Sequence, residues 1–165
     1  MKLSKALKLK NRLAGEIARL KQLVQSKNVS LADAEKEYDV QELMTQLRNR
    51  VDQLVAVKTV IAAANAGVSV VKPEDLPYYK IFRVAEIKGL LEMLKSLNTM
   101  HGVAAPNEYG VGMGAAVQHT YIAQLRAREV DILVTKLQKL IDDDQESLDA
   151  LNATKDVKGI DDISV

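Results

Sequence analysis

The strongest constraint on this chain is a recurring three-four spacing of its apolar residues. Leu3, Ala6, Leu13, Ile17, Leu20 and Val24 keep that rhythm, interrupted once by Lys10. Val40, Leu43, Leu47, Leu54, Val57, Ile61 and Ala64 take it up again, with Arg50 on the same stripe. At 3.6 residues per turn such positions fall on one helix face, whereas a strand would need alternation. The spacing predicts helices over about 4–26 and 40–66. Asn28 is the expected left-handed cap of the first. Asp39 is the expected N-cap of the second, with Glu42 at the capping-box position, and Gly67 is its stop. Residues 29–38 read as a connector. Two long helices so joined fold most simply as an antiparallel coiled-coil hairpin, the second about 40 Å long.

Two further stripes follow. Val84, Ile87, Leu91, Leu94 and Leu97 predict a helix over about 77–100. Val130, Leu133, Leu137, Leu140, Leu148 and Leu151 predict another over about 126–153. Between them, about 102–125 reads as a glycine-rich loop and a strand. That strand is expected to pair with 68–72, where Val68, Val70 and Val71 have strand character, or with another copy of the chain. The fold class expected is mainly α: the coiled-coil hairpin plus further helices, with a minor β-strand or hairpin element, as a single helical domain over 1–165. Only 4% of the residues are aromatic, so the core must be aliphatic, which suits helix-on-helix packing.

Charge and cysteine content narrow the function classes. The formal net charge is +1, so no overall attraction to nucleic acid is expected, and no nucleic-acid partner. The charge is uneven, with 2–27 basic and 142–149 acidic, and these two helices are expected to pair with each other. The run Asp142, Asp143, Asp144 lacks the alternating ligands of a calcium loop and reads as a solvated face. There is no cysteine, which removes thiol catalysis, disulfides and cysteine-based zinc sites. No stretch is apolar enough for a membrane span, and the N-terminus lacks the apolar core of a signal peptide. The expected location is the cytoplasm or a virion.

The two ends of the chain resemble a known group. The opening MKLSKALKLKNRLAGEIARLKQL is similar to the start of small, uncharacterised bacterial and phage proteins labelled septicolysin-like. Gln124, Leu125, Glu129, Val130, Asp131 and Leu133 fit the pattern of the other end, as do Ile141, Asp142, Gln145, Leu148, Asn152 and Thr154. Two places depart from it. Ala63, Ala64, Asn65 and Ala66 stand where the group has an Asn-Arg-Thr-Asn-like end to its second helix, and Ala153 stands near a missing Trp. The resemblance implies the order helix, helix, irregular segment, helix, strand, helix, and implies no enzyme activity.

Tests for chemistry find little. Gly110, Gly112 and Gly114 do not match a dinucleotide fingerprint, because the spacing is wrong and a strand-like segment follows. A flexible hairpin or an assembly arm is the preferred reading. His101 and His119, with Glu108, would be the nearest thing to a metal site; eighteen residues of separation across a loop permit a meeting without predicting one, and structural roles are expected. The expectation is therefore a non-enzymatic structural or interaction protein, with no catalytic residue, cofactor or metal. It would form a helical homo-oligomer, for instance within a phage particle or other large assembly. The interface residues expected are Leu13, Ile17, Leu20, Leu47, Leu54, Ile61, Val117, Tyr121 and Ile122. The alternative is a small enzyme or nucleotide-binding protein using 102–119.

Overall fold

The computed structural model describes residues 1–104 and 118–155. Four long helices dominate: α1 (Leu3–Lys27), α2 (Val40–Asn65), α3 (Pro77–Lys95) and α4 (Ala127–Asn152). Three short strands, β1 (Val29–Leu31), β2 (Gly102–Val103) and β3 (Thr120–Ala123), make an antiparallel sheet in the order β1-β3-β2. A single 3₁₀ turn, Pro73–Asp75, leads into α3.

The helices form an up-down-up-down bundle. Arg50 Nε on α2 meets the Glu16 carboxylate midway along α1 at 2.8 Å, and residues 3–9 of α1 face residues 56–64 of α2. Lys58 on α2 pairs with Glu86 on α3 and lies 5.9 Å over the Phe82 ring. Arg83 and Lys80 on α3 bond to Asp144 and Ser147 on α4. The start of α1, the end of α2, the start of α3 and the end of α4 therefore lie together at what we term the distal end. The sheet closes the other end.

The core follows the stripes. Leu13, Ile17, Leu20 and Val24 of α1 pack with Val40, Leu43, Leu47, Val51, Leu54 and Val55 of α2. Leu90, Met93, Leu94 and Leu97 join them from α3 and its exit, and Leu125 and Val130 from the start of α4. Val84, Ile87 and Leu91 pack with Ile141 in a second cluster between α3 and α4. Each fully buried aliphatic side chain contributes about 1.5–3 kcal/mol from removal of apolar surface from water.

Local signals behave as their chemistry requires in two places. The Asp39 carboxylate accepts from the Gln41 and Glu42 N–H groups at 2.8 and 3.2 Å, capping α2. Gly67, at φ +68°, turns the chain away after α2. The side chain of Glu42 does not complete the capping box; it accepts from Gln46 Nε2 instead.

Four expectations are corrected. Asn28 is not a left-handed cap: its φ of −66° and ψ of −35° are right-handed helical, and its side chain serves elsewhere. The connector after α1 contains a strand, and β3 pairs with it rather than with 68–72. The register is Val29 with Ala123, Ser30 with Ile122 and Leu31 with Tyr121. On its other side β3 pairs with β2, Gly102 opposite Tyr121. Residues 68–72 form no strand. The third helix ends at Lys95, not near 100, because the Asn98 side chain takes the Met100 N–H at 3.0 Å in a turn of its own. Finally, Asp144 is buried rather than solvated.

Candidate functional site

Most of the residues expected at an interface lie inside the chain's own core. Leu13, Ile17, Leu20, Leu47 and Leu54 are all buried against the chain's own helices. Tyr121 and Ile122 are half-buried in the central strand, whose two edges already bond to β1 and β2, so that strand has no edge to offer. Val117 lies outside the described residues, as do Gly110, Gly112, Gly114 and Glu108. Ile61 differs from the others: it lines an open apolar recess.

That recess, about 300 Å³ in volume, sits at the distal end between the start of α1 and the end of α2. Ile61, Val57 and Val60 line it from α2, and Leu3 and Leu9 from α1. Ala6, Ala56 and Ala64 on its walls fill little of the helix–helix seam. Met1 is 89% exposed, Leu3 45%, Leu7 40% and Val60 39%. The expected stripe included Ile61 and Val57. Leu3 also stood on an expected stripe, and spacing alone does not show which part of a stripe is covered.

A second apolar recess of about 460 Å³ runs between α2 and α4 with α3 as its floor. Met44, Leu47, Leu90, Leu94, Leu133 and Leu137 line it, with Arg48 and Lys136 on its walls. Both recesses are open to solvent and apolar, the character of surfaces that receive another chain.

The titratable groups are engaged structurally. His101 Nδ1 accepts from the Ala123 N–H at 3.2 Å, extending the sheet by one contact. His119 is exposed, and its backbone carbonyl accepts from the Ala104 N–H at 3.1 Å. Among the described residues no group of three or more His, Asp or Glu side chains is arranged to hold a metal ion. No described helix is long and apolar enough to cross a membrane.

Asp144 accepts from Arg83 Nε at 2.6 Å and from Arg83 Nη2, a bidentate pair. That hydrogen bond, opposed by burial and aided by the carboxylate's charge, raises the Arg83 pKa further. The guanidinium also lies 5.3 Å from the Tyr79 ring, whose hydroxyl is pushed up chiefly by burial.

A polar clasp ties the sheet end together. The Asn28 amide nitrogen donates to the Asn98 and Leu125 carbonyls at 2.8 and 3.0 Å, and its oxygen accepts from the Leu125 N–H at 2.8 Å. Beside it, Gln124 Nε2 donates to the Lys27 and Tyr38 carbonyls, and its oxygen accepts from the Val40 N–H. Two amide side chains thus join the exits of α1 and α3 to the entries of α2 and α4. No family model, curated protein or solved structure matches this chain.

Proposed function

We propose that this protein is a non-enzymatic structural component whose copies assemble into a helical homo-oligomer, docking through the distal end of the α1–α2 hairpin. The observation that carries this reading is the open apolar recess around Ile61, rimmed by exposed Met1, Leu3 and Val60. Apolar surface gathered in one place stays in water only at a cost, which association removes. In this reading the hairpin acts as a coiled-coil-like arm on a bundle held rigid at its sheet end. A place in a larger assembly such as a phage particle rests on the septicolysin-like resemblance alone. The alternative of a nucleotide-binding or catalytic 102–119 region falls mostly on residues outside the described ones.

Ile61→Lys tests the reading. Ile61 is only partly buried, so the lysine can reach water and the fold is expected to survive. The native mass should fall to that of one chain, 18.2 kDa, with circular dichroism unchanged. An oligomer of unaltered mass in the Ile61→Lys protein contradicts it.

A further inference from the structure

The distal end carries two charge patterns that no described residue answers with an ion pair. Lys2, Lys5, Lys8 and Lys10 are interleaved with the residues lining the α1–α2 recess, and the first acidic residue is Glu16. None of the four lysines makes an ion pair with a described residue. Cations at a helix N-terminus face the positive end of the helix dipole, so their placement is unfavourable in isolation. The outer face of α4 near its C-terminus is the mirror case. Asp142, Asp143, Glu146 and Asp149 are exposed, and no Lys or Arg stands between Lys139 and Lys155. Asp142 and Asp149 accept only from the neutral amides of Gln138 and Gln145. Asp149, in the last turn of α4, also faces the negative end of that helix.

The two faces do not satisfy one another within the chain, contrary to the pairing expected from sequence. α1 packs on α2 and α4 on α3, and no ion pair joins α1 to α4 among the described residues. The same charge distribution decides between the two ways of joining copies. Recess against recess would bring two uncompensated lysine clusters together, which repel. Recess against the acidic face of α4 joins opposite charges and brings exposed Ala150 toward the apolar recess.

We infer that the copies join through unlike faces: the basic, apolar distal end of α1–α2 in one copy receives the acidic C-terminal face of α4 in the next. Both faces lie at the distal end, so the contact either closes reciprocally about a two-fold axis or propagates as a ring or a filament. This inference rests on the homo-oligomer reading and specifies its geometry.

Two charge-reversed proteins test it by light scattering. One carries Lys2→Glu, Lys5→Glu and Lys8→Glu; the other carries Asp142→Lys, Asp143→Lys and Glu146→Lys. All six positions are exposed, so helicity by circular dichroism should hold. Each protein alone should run as a single chain, and mixing the two should restore assembly, because each supplies the face the other lacks. The unmodified assembly should also loosen between about 0.05 and about 0.5 M salt as screening shortens the reach of these charges. Should a triple variant lose helicity, Lys5→Glu alone should still shift the salt midpoint downward. Reversed proteins that stay assembled, or folded single chains that fail to reassemble on mixing, overturn the pairing of these two faces but leave the oligomer standing. An unmodified chain that is monomeric removes the oligomer itself. Phosphatidylserine vesicles that bind the chain through these lysines, with its mass unaffected by reversal, would make the face a lipid surface and overturn the inference.

Discussion

Asn28→Ala is expected to lower the free energy of unfolding by roughly 3 kcal/mol or more, a large part of the stability of a domain this size. Asn28 is completely buried, and all three of its side-chain bonds go to backbone groups far away in sequence. Removing the amide strands the Leu125 N–H and the carbonyls of Asn98 and Leu125. Each buried backbone group left without a partner costs about 1–3 kcal/mol. Asn28→Asp should be no milder despite its matching shape. Its oxygens can still accept from Leu125 N–H but would face two carbonyls that need a donor. Urea unfolding followed by circular dichroism measures both. A loss below about 1 kcal/mol for Asn28→Ala would mean that the clasp does not hold the sheet end.

The second large effect concerns Arg83 and Asp144. Asp144→Ala should cost about 2–4 kcal/mol, toward the lower part of the range for buried pairs because the Arg83 side chain keeps 25% of its surface in water. The loss comes from a part-buried guanidinium beside Tyr79 that has lost its bidentate partner. Arg83→Met combined with Asp144→Leu should restore much of that stability, since an apolar pair removes the desolvation cost of both ions. A double-mutant cycle decides it. Additive single effects would show that the two groups do not stabilise each other.

The helices were legible because their stripes are long and the period unambiguous. Asp39 and Gly67 were legible because N-capping and a positive φ each demand a narrow residue type. The sheet was not. Val29, Ser30 and Leu31 are too few to show a period, and their pairing depends on a strand more than ninety residues away. Asn28 looked like a local stop signal, whereas its partners, Asn98 and Leu125, are distant in sequence. Asp144 could have been placed: Leu137, Ile141, Asp144 and Leu148 keep the three-four spacing, so the position belonged to the buried stripe. Residue type outweighed position in that reading, and the matching Arg83 was visible only across the α3–α4 contact. The recess was half legible. Ile61 and Val57 stood on the expected stripe, but spacing does not show that this part stays open beside the small Ala6, Ala56 and Ala64.

Assembly through the distal end is read from the native mass of the unmodified chain in light scattering across a range of concentrations at low salt. The mass is expected to be a multiple of 18.2 kDa and to fall as the protein is diluted or the salt is raised. A mass of 18.2 kDa at every concentration would contradict it.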